Sequence, residues 1–162
     1  MDKDFMSISD NSLTYILNYI KNNNIKSILE IGTYHGYSAI EFSKVAESII
    51  TIEKNKEDIQ KAKENFKGFK NIILLEGDAK EIMKSLNNKF DLVFIDAKKS
   101  EYGSYLKLSL KLTTQSSVIF VDNTISHKHK MMDLFEYLKK SDLNWEELNL
   151  GKGLIIISKS KQ

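Results

Sequence analysis

Five short apolar runs alternate with stretches of helical periodicity, and this alternation restricts the fold of the chain more than any other feature. The runs are Ser27-Ile28-Leu29-Glu30-Ile31, Ile49-Ile50-Thr51-Ile52-Glu53, Ile72-Ile73-Leu74-Leu75, Phe90-Asp91-Leu92-Val93-Phe94-Ile95-Asp96 and Ser117-Val118-Ile119-Phe120-Val121-Asp122. Runs so short and so rich in Val, Ile and Leu read as strands buried on both faces. Between them, Leu13, Ile16, Leu17 and Ile20 recur at helical spacing, as do Ile59, Ala62 and Phe66. The same holds for Tyr102, Tyr105, Leu106 and Leu110, and for Met131, Leu134, Phe135 and Leu138. Shorter helices are expected around Ala39, Phe42 and Ala46, and around Ile82, Met83 and Leu86. Asp10 or Asn11 is expected to cap the first helix, and Gly68 to help end the third. Two last strands, near Trp145–Leu150 and Leu154–Ser158, meet at Gly151-Lys152-Gly153 and read as a hairpin. Strands and helices in this order predict an α/β fold, with a mostly parallel seven-stranded sheet covered by helices on both faces.

The 162 residues suit one domain over 1–162 with a single sizeable core. Hydrophobic residues at 41% and charged residues at 28% describe a globular chain rather than a disordered one. No apolar run approaches the roughly 20 residues of a membrane span. Met1-Asp2-Lys3-Asp4-Phe5 lacks the apolar stretch of a signal peptide, so a cytoplasmic location and no membrane partner are expected. With no cysteine, disulfides, thiolate metal sites and a cysteine nucleophile are excluded. All 24 basic residues are lysine and the net charge is +2, which gives no concentrated basic block for nucleic acid.

Ligands of such sheets bind beyond the carboxyl ends of the strands, so the polar residues there matter most. Gly32 and Gly36 stand between the first strand and a helix, where backbone amides can meet an anionic group. Their Gly-x-x-x-Gly spacing differs from the Gly-x-Gly-x-x-Gly dinucleotide fingerprint and favours S-adenosylmethionine; a tight turn without a ligand is the alternative. Glu53 could accept the hydroxyls of a ribose, or be a solvated charge. Asp78 could accept an adenine amino group, or cap the helix after it. Asp96, Asp122 and Asn123 end neighbouring strands. Two carboxylates and an amide oxygen suit a hard divalent cation such as Mg2+, while two caps and a turn would look the same. Lys99 or Lys98 could serve as general base. His35 is expected to orient the glycine loop, and His127-Lys128-His129 to form a solvated turn.

Three motifs carry a resemblance. They are Leu29-Glu30-Ile31-Gly32-Thr33-Tyr34-His35-Gly36-Tyr37-Ser38-Ala39, Phe90–Tyr102 with its Ile95-Asp96-Ala97-Lys98-Lys99, and Val121-Asp122-Asn123. From about Phe5 to Lys159 the chain resembles the class I, S-adenosylmethionine-dependent O-methyltransferases of the metal-dependent catechol and caffeoyl-CoA type. Their bacterial relatives include tRNA hydroxyuridine methyltransferases. The resemblance implies a Rossmann-like fold and a cofactor set of Glu30, Gly32, Tyr34, Gly36, Ser38, Glu53, Gly77, Asp78, Ala79 and Asp96. In it Gly32, Tyr34 and Ser38 line the methionine end, Glu53 binds the ribose, and Gly77, Asp78 and Ala79 border the adenine. It further implies a cation on Asp96, Asp122 and Asn123, and Lys99 rather than Lys98 as the catalytic lysine. The implied reaction is direct displacement, an acceptor oxygen attacking the sulfonium methyl.

Two departures from the family bear on the acceptor. By the resemblance, the helices that usually precede the segment resembling Phe5–Ile20 are expected to be essentially missing, and the stretch Thr124–Lys130 is short and lacks the usual aromatic substrate contact. An open acceptor site or one covered by a partner is therefore expected. The acceptor is expected to be a small phenolic or catechol-like hydroxyl compound, with a modified tRNA base as the other candidate, and a homodimer is a further expectation. A cofactor-binding subunit that needs a partner for activity is the competing reading. A nicotinamide-dependent oxidoreductase fits the glycine spacing poorly.

Overall fold

A computed structural model of the chain describes residues 7–160. The expectations about Met1–Phe5 lie outside those residues. The elements follow in the order α1 (Asp10–Asn22), β1 (Ser27–Ile31), α2 (Tyr37–Ser43), β2 (Ser48–Glu53), α3 (Lys56–Asn65), β3 (Ile72–Glu76) and α4 (Ala79–Ser85). Then come β4 (Phe90–Ile95), α5 (Tyr102–Lys111), β5 (Thr113–Asp122), α6 (Met132–Lys140), β6 (Asn144–Leu148) and β7 (Leu154–Ser158). Short 3-10 turns at Lys99–Glu101 and Lys128–Lys130 lead into α5 and α6.

The sheet order is β3-β2-β1-β4-β5-β7-β6. Strands β1 to β5 are parallel, and β7 runs antiparallel to both β5 and β6. The expected hairpin is present, with β7 rather than β6 against β5. Winding reverses between β1 and β4, so the crevice at their carboxyl ends is where such a sheet takes a ligand.

Alternation within the strands explains the two covered faces. Ile28, Ile49, Leu92, Phe94, Val118 and Phe120 point into one layer with Leu13, Ile16 and Ile20 of α1 and Ala39 and Phe42 of α2. Leu29, Ile31, Ile52, Val93, Ile95, Ile119 and Val121 point into the other, against Met83 of α4, Tyr102 and Leu106 of α5, and Leu134 and Leu138 of α6. Phe42 meets Phe94 edge to face at 5.5 Å. Full burial of one such aliphatic side chain is worth about 1.5–3 kcal/mol, so the central strands carry much of the stability.

Several sequence expectations need correction. The N-cap of α1 is Ser9, whose hydroxyl accepts from the Ser12 amide at 3.2 Å; Asp10 is already in the first turn. Strand β5 begins at Thr113 rather than Ser117, because the register against β4 shifts between Phe90 and Leu92 and lets a polar stretch pair as well. Strand β3 is an edge and half-exposed, not buried on both faces; Ile73 is 54% exposed. Ala46, Phe66 and Leu86 lie just past the ends of α2, α3 and α4. Among the described residues no helix is long and apolar enough to cross a membrane.

Candidate active site

The carboxyl ends of β1 and β4 approach so closely that only a glycine fits between them. A Cβ on Gly32, whose φ is +96°, would stand 2.0 Å from the carbonyl oxygen of Asp96. The amides of Gly32 and Thr33 both donate to the Ile52 carbonyl, at 3.0 and 3.2 Å, which ties the loop to β2. Tyr34 sits at φ +51° with its amide donating to Glu53 Oε2 at 2.9 Å. Gly36 begins α2 at φ +88°, where a Cβ would come within 2.3 Å of the Phe66 ring. His35 orients the loop as expected. Its ring stacks on Tyr34 at 3.7 Å and pairs with Asp58 at 3.2 Å, and its carbonyl accepts from Asn65.

Glu53 closes β2 with its carboxylate fixed by main-chain amides. Oε1 accepts from Lys54 and Asn55 at 2.9 and 3.0 Å, while Oε2 accepts from Tyr34. Of roughly four acceptor positions on a carboxylate, three are taken, which leaves one clear for an incoming hydroxyl. Below the loop, Glu30 is fully buried in β1. It accepts from the Ser38 hydroxyl and, at 2.5 Å, from the Thr51 hydroxyl, which also meets Thr33 at 2.6 Å. Burial pushes its carboxyl up to about 8 despite these hydrogen bonds.

At the ends of β4 and β5 the acidic residues converge. Asp96 Oδ1 accepts from Lys99 Nζ at 3.0 Å and from Asn123 Nδ2 at 2.9 Å. Lys99 Nζ also lies 2.8 Å from the hydroxyl of Tyr102, a side chain with no solvent exposure. Lys98 lines the same cavity, but it reaches Glu101 at 3.4 Å and its side chain is 58% exposed against 18% for Lys99, so Lys99 is the more enclosed of the two. Asp122 is 4% exposed, and burial followed by the nearby Asp96 charge pushes its carboxyl up to about 7. Asn123 is held at φ +66°, a strained conformation for a side-chain-bearing residue.

Gly32, Tyr34, Ser38, Glu53, Gly77, Ala79, Asp96, Lys99 and Asn123 line one cavity of about 490 Å³. Glu30, Gly36, Asp78 and Asp122 do not reach its wall. Glu30 and Gly36 support the loop from behind. Asp78 is the N-cap of α4, accepting from the Lys80 and Glu81 amides at 3.0 and 3.4 Å, so the capping alternative is what the geometry displays. The cavity also takes in residues the sequence did not single out: Ser7, Ile8, Tyr37, Tyr105 and Lys152. His127, expected in a solvated turn, is on the wall as well. Tyr37 follows the glycine loop at the start of α2 and Tyr105 comes from α5, whereas no local pattern announces Lys152 and His127, whose loops meet through long-range contacts.

The donor set fits a hard divalent cation. Two carboxylates that repel one another and an amide side chain stand together, and oxygen ligands of this kind suit Mg2+. Among the described residues no group of three or more His, Cys, Asp or Glu is arranged to hold a metal, so solvent or substrate oxygens would have to complete such a site.

The profile of the O-methyltransferase family matches residues 2–148. The chain belongs to the O-methyltransferase family. It is 33% identical to the O-methyltransferase ankF of Aspergillus thermomutatus over 110 residues, 62% of this chain and 46% of that protein. It is 32% identical to the catechol O-methyltransferase of Niastella koreensis over 110 residues, 62% of this chain and 50% of that one. The chain thus spans about half the length of the curated relatives it matches. Among solved structures, that of a candidate caffeoyl-CoA O-methyltransferase from Staphylococcus aureus superposes with a TM-score of 0.87 at 29% identity, covering 95% of this chain and 85% of that one. An O-methyltransferase fold accounts for the position of the cavity at the carboxyl ends of β1, β2 and β4.

Proposed function

We propose that this chain is an S-adenosylmethionine-dependent O-methyltransferase that acts on a hydroxyl of a small catechol-like aromatic and is assisted by a divalent cation. The observation that carries this reading is the continuity of one cavity from the Gly32–Glu53–Gly77 cradle to the Asp96–Lys99–Asn123 cluster. Its volume of about 490 Å³ falls in the ordinary range for small-ligand sites.

Gly32, Tyr34 and Ser38 would hold the amino-acid end of the cofactor, Glu53 its ribose, and Gly77 and Ala79 its base. When bound, the cofactor would supply an electrophilic methyl for the acceptor oxygen, with S-adenosylhomocysteine as the leaving group. Asp96 and Asn123 on the wall would hold the cation, with Asp122 behind them adding negative charge, and the cation would make an acceptor hydroxyl more acidic. The chain's own part is positioning and proton transfer. Lys99 in its neutral form takes the hydroxyl proton at Nζ, and the resulting ammonium is held by Asp96 at 3.0 Å and the Tyr102 hydroxyl at 2.8 Å. Ser7, Ile8 and Tyr37 also line the cavity. Pre-positioning of two reactants in such an enclosure supplies a large share of the rate.

Calorimetry with S-adenosylmethionine, followed by methyl transfer to catechol with Mg2+ and with chelator, tests the reading. Cofactor binding with chelator-sensitive transfer supports it. Lys99→Met should lower turnover by about 10²-fold or more while the cofactor still binds. Absence of cofactor binding would sink the proposal.

A further inference from the structure

A carboxylate beside the cavity holds a tyrosine by its proton. Glu101 sits in the turn before α5, and its Oε2 accepts from the Tyr105 hydroxyl, one helical turn on, at 2.7 Å. Its Oε1 lies 3.4 Å from both Lys80 of α4 and Lys98 of the loop after β4. The Tyr105 hydrogen bond outweighs the burial that would raise the Glu101 carboxyl, and Lys98 and Lys80 add to it, so the group is held below the usual carboxylate range. An ionised carboxylate has no proton to give. The direction of the bond is therefore fixed: Tyr105 donates, and its oxygen keeps only lone pairs for any other partner.

That oxygen belongs to the cofactor end of the cavity. Tyr105 is 3% exposed and its ring lies 6.3 Å from that of Tyr102, yet it is on the cavity wall together with Gly77, Ala79 and Lys98. Burial and the bond to Glu101 push its phenol upward, and the charges of Asp78 and then Glu53 add to the shift, so the hydroxyl lies toward the base and ribose end rather than toward the cation cluster. Asp78 commits its Oδ1 to the α4 amides and is absent from the wall. Lys98, the donor on the same stretch of wall, is drawn to Glu101. A ligand group that meets the Tyr105 oxygen has to bring a proton of its own.

We propose that Tyr105 reads the base of the cofactor: its oxygen accepts a hydrogen bond from the exocyclic amine of an adenine, and Glu101 is the positioning residue that keeps the phenol an acceptor. The inference rests on the methyl-transfer reading of the cavity and adds a specificity-determining pair to it. A base with a carbonyl in place of the amine would set lone pairs against lone pairs, and the mismatch leaves a buried polar group unpaired.

The test measures, by calorimetry on the full chain, the affinities for S-adenosylhomocysteine and for S-inosylhomocysteine, its analogue with a carbonyl in place of the amine. The first should bind about tenfold tighter or better. Tyr105→Phe should weaken S-adenosylhomocysteine by about tenfold and leave the analogue within about twofold, a split that loss of packing alone would not give. Glu101→Gln keeps the shape but can itself donate, which releases the phenol proton toward the cavity. The analogue should then gain, and the ratio should fall by about threefold or more. Equal affinities in the wild type, a ratio that survives either substitution, or an equal loss of both ligands in Tyr105→Phe would overturn the assignment. No binding of S-adenosylhomocysteine by the wild type would overturn the methyl-transfer reading and this inference with it, whereas binding without preference would overturn the base contact alone.

Discussion

Glu30 is a carboxyl buried against the hydroxyls of Ser38 and Thr51, and its surroundings make a pH signature. Its ordinary pKa of 4.5 rises to about 8 in the fold. Between those values the folded state holds a proton that the unfolded state has lost. Stability linked to the neutral form is therefore fully present below about pH 4.5 and is lost as pH rises through about 8. The drop is on the order of a few kcal/mol, at about 1.4 kcal/mol per pH unit. Urea denaturation from pH 5 to 8 should show a falling stability in the wild type and a flatter line in Glu30→Gln. The amide can be accommodated because the Thr51–Thr33 hydroxyl pair can reverse its direction. At two glycines the same scale separates contact from conformation. Gly32→Ala should cost more than about 3 kcal/mol, since strain adds to a backbone clash. Gly68→Ala, at φ +91° but with nothing near its Cβ, should cost only about 1 kcal/mol. The loop around Gly32 was legible because its residue types are dictated locally. His127 was not, since its place depends on Lys152 accepting from amides some 26 positions earlier in the chain.

Helix α4 shows how an element can claim a residue that looks functional. Asp78 caps it through two amides, so Asp78→Ala should cost about 1 kcal/mol in a thermal or chemical melt while Asp78→Asn restores most of it. Cofactor affinity should change by no more than about twofold in either variant, because the side chain is absent from the cavity wall. A tenfold loss of affinity in Asp78→Ala would show that the cap is not its whole role. The elements themselves were readable where one driving force dominates. Leu92–Ile95 and Val118–Val121 are apolar throughout, Ile28–Ile31 is apolar but for Glu30, and all three sit at the centre of the sheet. Reading failed where a partner decides. Thr113–Ser116 joins β5 only because β4 lies beside it with a shifted register. Ser9 caps α1 in place of Asp10 through a choice of one residue that composition alone does not settle.

Across the whole molecule, stability should fall from the middle of the sheet to its edges. Strands β1 and β4 have neighbours on both sides and helices on both faces, whereas β3 and β6 have one neighbour each and half-exposed side chains. Amide hydrogen exchange should be slowest in β1 and β4, set there by global unfolding, and fastest among the strands in β6. Early loss of protection in β4 would contradict that ordering. The cavity-forming residues lie at one end of the sheet, and the chain has no cysteine. Lys70, exposed in the loop before β3, is at the opposite end. The five residues of β3 put roughly 16 Å of strand between that loop and Gly77. Lys70→Cys would thus be the sole thiol in the molecule, open to a fluorophore through maleimide chemistry. Energy transfer from that one position would report what enters the far end without any dye touching the cavity wall.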